Sequence, residues 1–181
     1  MALATVERNS VDVAAAVKSI VAARPDAVVQ VGAYKACAAF IREARKAGYG
    51  GTFFNVSFVG TQALADELGK GGAGVMVTQV VPSPYNPANA ITREFSDAVK
   101  KAGAAASANF SSMEGYLAAK VLTEGLRRAP GKASRDGLIA GLESIDRQQF
   151  GGFEVSFSPK NHVGSKFVEL SMITADGKIR T

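Results

Sequence analysis

Asp26 to Tyr34 reads DAVVQVGAY, and this stretch decides the fold. Ala27 to Val31 is a short, almost wholly apolar run that ends at Gly32, and a helical pattern follows at once. A buried parallel strand feeds its crossover helix in this way, which implies a sheet covered on both faces. In open sheets of that kind ligands collect at the carboxyl ends of the strands, where loops and helix N-termini face a crevice. Gly32, Ala33 and Tyr34 are expected there, with Tyr34 close to whatever the protein binds.

The flanking sequence repeats the pattern. Upstream, Thr5 to Arg8 is expected to close a strand, with Ser10 as N-cap and Asp12 in the first turn of a helix carrying Val13, Val17, Ile20 and Val21. Downstream, Cys37, Phe40, Ile41 and Ala44 line one face of a second helix that stops at Gly48. Thr52 to Val56 is a third strand, with Ser57 and Phe58 in the loop at its carboxyl end, and Gly74 to Val80 is a fourth. Strands alternating with helices at these intervals predict a doubly wound α/β fold with a parallel sheet.

At Val81 to Pro87, three prolines in seven residues break the pattern, as a crossover between structural units would. Ile91, Phe95, Ala98 and Val99, then Met113, Leu117 and Val121, then Leu138, Leu142 and Ile145 are the inner stripes of three helices. Their apolar faces need a sheet that this segment does not visibly contain. The tail returns to strand signals at Phe153, Val155 and Phe157 and again from Phe167 to Ile173, followed by a turn at Asp176 and Gly177.

The 181 residues carry a net charge of +5, which raises the question of nucleic acid. The cations argue against it. Arg45 with Lys46, Lys100 with Lys101, and Arg127 with Arg128 all fall in the expected last turns of helices, where they complement the helix dipole. No apolar run approaches the length of a membrane span, and MALATVERNS lacks the pattern of a secretory signal. Cys37 and His162 are the only residues of their kinds, so neither an internal disulfide nor a His/Cys zinc site is expected. Cys37 reads as a core residue and His162 as a turn residue. GKGGAG, Gly69 to Gly74, precedes a strand, the reverse of a phosphate-binding loop. Glu114 and Tyr116 read as structural residues at a helix start. No catalytic constellation, metal site or cofactor site emerges.

Five strings in order carry a resemblance: RNSVDVAAAVKSIVAARPDAVVQVGAY, FIREARKAGYGGTFFNVSFVG, GVMVTQVVPSP, NFSSMEGYLAAKVLTEGLRRA and GGFEVSFSPKNHVGSKFVELSMITADGK. Together they resemble the carboxyl-terminal half of the type I periplasmic binding proteins, the solute receptors of ABC importers for branched-chain amino acids and related compounds. The resemblance implies two α/β lobes that close on a small-molecule ligand and present it to a membrane permease outside the cytoplasm, without enzymatic activity. It implies that residues 1–80 and 150–181 form the second lobe, and that 81–149 supply the crossover and helices of a first lobe whose remainder is absent. The chain is then expected to be a fragment, a truncated product, or a half-protein completed by a homodimer.

Laid on the family, Tyr34 with Ala33, and Ser57 with Phe58, fall at ligand-contacting positions. Tyr34 reads equally as a helix-start aromatic, and Ser57 as an N-cap or turn residue. Amino-acid-binding members place a carboxylate near the second position, where this chain has Ser57. With Phe53, Phe54 and Phe58 nearby, an aromatic or aliphatic carboxylate, or an amide, fits as well as an amino acid. A ligand-sensing domain of the same architecture and a cofactor-using α/β enzyme are the alternatives.

Overall fold

The computed structural model describes residues 1–103, 107–131 and 134–181. They divide into two units, Met1–Gln79 with Glu169–Thr181, and Val80–Val168. The first contains α1 (Ala14–Ala22), β1 (Ala27–Gln30), α2 (Tyr34–Lys46), β2 (Thr52–Asn55), a 3-10 turn at Ser57–Val59, α3 (Thr61–Leu68) and β3 (Met76–Gln79). It ends with β6 (Glu169–Ile173) and β7 (Ile179–Arg180). The second contains α4 (Ala90–Ala102), α5 (Phe110–Arg128), α6 (Arg135–Glu143), β4 (Gln148–Phe150) and β5 (Phe153–Val155).

The five-stranded sheet of the first unit runs β1-β2-β3-β6-β7. β1, β2 and β3 are parallel, whereas β6 and β7 add antiparallel at the far edge. The fold is therefore α/β with a mostly parallel sheet, as the alternation of strand and helix patterns requires. Thr5–Arg8 forms no strand, although Ala2, Ala4 and Val6 pack against the core. Ser10 does not cap α1. It accepts from the Asp12 N–H at 3.0 Å, and the N-cap position falls to Val13.

Phe53 lies at the centre of the first core, with 1% of its surface exposed. Burial of a side chain this size is worth roughly 1.5–3 kcal/mol. Phe40 from α2 meets it edge-on at 6.4 Å between ring centres, and Tyr49 does so at 5.2 Å. Tyr49 reaches that place because α2 ends in a tight left-handed turn: Gly48 takes φ 85°, its N–H donates to Arg45 O, and the Tyr49 N–H donates to Ala44 O. Arg45 completes the ring, with its guanidinium 5.7 Å from the Phe53 centroid. The same guanidinium donates to the carbonyls of Gly71 and Ala73, while Arg42 donates to the carbonyl and carboxylate of Glu67. The glycine-rich Gly69–Gly74 stretch thus offers carbonyls to an arginine, the opposite polarity from a phosphate cradle.

The sheet is not covered on both faces. Val28, Phe53, Val75, Val77 and Ile173 point into the core with 8% exposure or less. On the other face Val29 is 71% exposed, Leu170 47% and Met172 40%, with Phe54 and Met76 half-buried in register between them. The near-continuous apolar run of β1 is the signature of a strand with two buried faces, yet the described residues supply helices to only one.

In the second unit the β4–β5 segment touches α4 and α5, where the Ile91 N–H donates to Gly151 O at 3.0 Å and Arg128 donates to Gln148 at 2.8 Å. β4 and β5 form a hairpin through Gly151 and Gly152, both at positive φ as a two-residue loop requires. Phe150, Phe153 and Val155 are buried, as are Ile91, Phe95, Phe110, Met113, Leu117 and Ile145. Residues 150–168 therefore group with the helices, where the sequence assigned them to the lobe of residues 1–80. The hairpin is local, so its strands join the nearest apolar helix faces. Leu122, Leu126 and Ile139 remain about half exposed. α5 and α6 cross where Gly125 and Gly141 let their backbones touch, since a Cβ on Gly141 would collide with the Gly125 carbonyl.

Gly141→Ala is expected to lower stability by about 1–3 kcal/mol through overpacking at this crossing. Gly115→Ala, in the exposed middle of α5 with open space around it, should instead raise stability by up to ~1 kcal/mol. Urea denaturation of the two variants checks the opposite signs. The open sheet face should bind a hydrophobic dye, and Leu170→Thr with Met172→Thr should reduce the fluorescence; a silent wild-type chain would show that the face is covered in solution.

Candidate functional site

β1 and β2 pair in parallel with Gln30 opposite Asn55, so the segments following both strands emerge at the same end of the sheet. After β1 the chain turns through Gly32, where a Cβ would lie 3.1 Å from Cys37 Sγ, and enters α2. Ala33 is the N-cap residue, extended and exposed, and Tyr34 is the first helical residue. The Tyr34 ring is half-buried against the first core, and Lys35 Nζ stands 6.0 Å from its centroid. After β2 the 3-10 turn carries Ser57, half-buried, and Phe58, which is 61% exposed. Gly60, at φ 77°, takes the N-cap position of α3, so Ser57 is a turn residue and not a helix cap.

Neither α2 nor α3 has a side-chain cap, and both begin at this end of the sheet. Their N-termini present the positive ends of the helix dipoles, which favour an anion. The nearby acids are engaged elsewhere, Asp66 with Gln62 at 2.8 Å and Glu67 with Arg42 at 3.0 Å. The strand ends therefore offer an aromatic face, a hydroxyl and two helix N-termini, with no carboxylate among Ala33, Tyr34, Ser57 and Phe58.

Beneath this end lies a feature that the sequence reading passed over. Each parallel strand closes on an amide: Gln30, Asn55 and Gln79. Asn55 and Gln79 are at most 1% exposed. The Gln79 Nε2 donates to Thr61 Oγ1 at 2.8 Å and Ser171 Oγ at 2.7 Å, tying α3 and β6 to β3. A polar residue closing each of the runs AVVQ, TFFN and MVTQ was the available signal.

Of the other singled-out residues, Cys37 is buried, which pushes its thiol up to about 11, so it is a core residue and not a nucleophile. His162 is exposed and lies 2.9 Å from Glu143. Glu114 is half-buried, and burial raises its carboxyl. Tyr116 donates to Glu94 at 2.7 Å; burial, then the Glu94 carboxylate, pushes the phenol up to about 12. Glu114, Tyr116 and His162 lie in the second unit, whereas Cys37 lies in the first, on the buried face of α2. Surface hollows beside Tyr116, Lys120 and Arg127, and beside Val11, Arg42 and Glu67, contain none of the four expected site residues.

No curated protein matches significantly. Among solved structures, a possible leucine/isoleucine/valine-binding protein from Rhodopirellula baltica SH 1 is 31% identical, with a TM-score of 0.91 over 97% of this chain and 48% of its own. A substrate-binding periplasmic protein from Ralstonia solanacearum is 29% identical, with a TM-score of 0.85 over 95% of this chain and 50% of its own. A branched-chain amino acid ABC transporter protein from Thermus thermophilus with bound valine, 16% identical, has a TM-score of 0.79 over 98% of this chain and 50% of its own, and shares the fold alone. The chain spans about half the length of these structures. The family model for periplasmic binding proteins matches residues 2–178, and the chain belongs to that family.

Proposed function

We propose that this chain is the ligand-contacting carboxyl-terminal half of a solute receptor for an ABC-type importer. It takes a small organic acid, an amino acid or a related carboxylate or amide, against the strand ends of the first unit. The observation that supports this reading is that the segments carrying Tyr34, Ser57 and Phe58 leave the same end of the parallel sheet as two helix N-termini that no side chain caps. A ligand carboxylate suits the helix N-termini, and its apolar part suits the two rings. The family, and the likeness to a possible leucine/isoleucine/valine-binding protein from Rhodopirellula baltica SH 1, support an aliphatic amino acid as the first ligand to try.

The receptor is non-enzymatic and acts outside the cytoplasm by closure of two lobes. Ligand favours the closed form only by its higher affinity for closed over open. A membrane permease is the partner that reads the closed form. An ammonium on the ligand would need its counter-charge from a lobe other than the first unit, because the strand ends carry no carboxylate.

Thermal unfolding with branched-chain amino acids, aromatic and aliphatic carboxylates, amides and nucleotides tests the proposal. A ligand of the folded state stabilises it by about 2.7 kcal/mol at a hundred times its dissociation constant. A shift from one small-acid class is expected, whereas a sharp melt that no compound moves, or one that only nucleotides move, overturns the reading. Tyr34→Ala should weaken that binding while leaving the ligand-free melt nearly unchanged, and equal affinity in the variant would remove Tyr34 from the site. Sedimentation of the same sample tests the homodimer, which a monomer at working concentration would rule out.

A further inference from the structure

The three amides that close the parallel strands share one property. Gln30 Oε1, Asn55 Oδ1 and Gln79 Oε1 are buried, and no described group donates to any of them. The nitrogen of each amide faces an oxygen. Gln30 Nε2 donates to Cys37 O, and Asn55 Nδ2 to Met76 O, each at 3.5 Å, so turning either amide would set oxygen against carbonyl oxygen. Gln79 Nε2 faces Thr61 Oγ1 and Ser171 Oγ at 2.8 and 2.7 Å, and Ser171 Oγ lies 3.1 Å from Val77 O. With the amides oriented so, all three oxygens are left without a described donor.

The oxygens belong to one neighbourhood. Gln30 and Asn55 are direct partners across β1 and β2, and Gln79 lies two residues beyond Val77, the partner of Asn55 across β2 and β3. Val28, Phe53, Asn55, Val77 and Gln79 point to the same buried face, so the amides form a diagonal row under the beginnings of α2 and α3. A buried amide oxygen without a donor is costly, and native proteins satisfy such groups with protein donors or internal water. The acceptors are too deeply buried for direct contact with a solute on the surface of this end of the sheet.

We infer that the row is an internal hydration site, in which ordered water donates hydrogen bonds to Gln30 Oε1, Asn55 Oδ1 and Gln79 Oε1 beneath the strand ends. The water would connect the three strands where Tyr34 and Ser57 leave the sheet, and so help to hold the two loops in place. This inference does not depend on the identity of any ligand.

A high-resolution crystal structure of the chain without added solute is the test. Water is expected within hydrogen-bond range, about 2.7–3.2 Å, of Asn55 Oδ1 and Gln79 Oε1. Dry oxygens, oxygens met by a protein donor, or oxygens met by a retained solute would each overturn it. In solution, long-lived water should show cross-relaxation with the Asn55 side-chain amide protons, and its absence counts against the site. Asn55→Leu should lower the melting midpoint by stripping the water of a partner, whereas an equal or higher midpoint would mean that the oxygen was simply unsatisfied. Should that variant fail to fold, the two wild-type measurements decide.

Discussion

Parallel pairing of β1, β2 and β3 is the constraint on which the rest of the first unit depends. Parallel neighbours cannot be joined by a tight hairpin, so each strand must be followed by a crossover that returns the chain to the opposite end. Here α2 and α3 are those crossovers, and they bring all the strand ends, with their loops and helix starts, to one side. The same constraint makes Phe53 central. It sits on the middle of the parallel strands, beneath α2, with Phe40, Tyr49 and the Arg45 guanidinium around it.

Arginine does structural work that the net charge conceals. Arg42 binds the Glu67 carbonyl in the last turn of α3, Arg45 binds carbonyls of the connection from α3 to β3, and Arg128 joins Glu124, the Ser144 carbonyl and Gln148 at 2.7, 2.9 and 2.8 Å. A planar guanidinium with several donors can satisfy two or three backbone or side-chain acceptors at once, which a lysine ammonium does less well. These cations stabilise turns and helix ends, and a basic chain is the by-product.

The exposed face of the sheet and the half-exposed Leu122, Leu126 and Ile139 belong together as observations about cover. Each is an apolar surface written in a pattern that normally meets a partner layer. The solved structures described above are about twice as long as this chain. The strand ends, in contrast, carry their chemistry within the first unit, because each loop is anchored by its own strand and helix.

The sequence by itself determined the local elements and their order. The spacing of Cys37, Phe40, Ile41 and Ala44 specifies a helix with one buried face, Gly48 and the prolines from Pro82 to Pro87 punctuate the chain, and the alternation of patterns specifies α/β. It also marked Tyr34, Ser57 and Phe58, since strand-end loops follow from element order alone. Tertiary structure decided what depends on contacts between distant residues. Val29 and Val28 are equally apolar, and only the placement of α1, α2 and α3 leaves one exposed and the other buried. Gln79 and Ser171 are 92 positions apart, so no local pattern could show that their side chains meet. The sense of Gly69–Gly74 likewise came from Arg45, and the grouping of residues 150–168 from a hairpin that packs on the nearest helices. Periodicity is a property of neighbours along the chain, while cover, amide satisfaction and grouping are properties of neighbours in space.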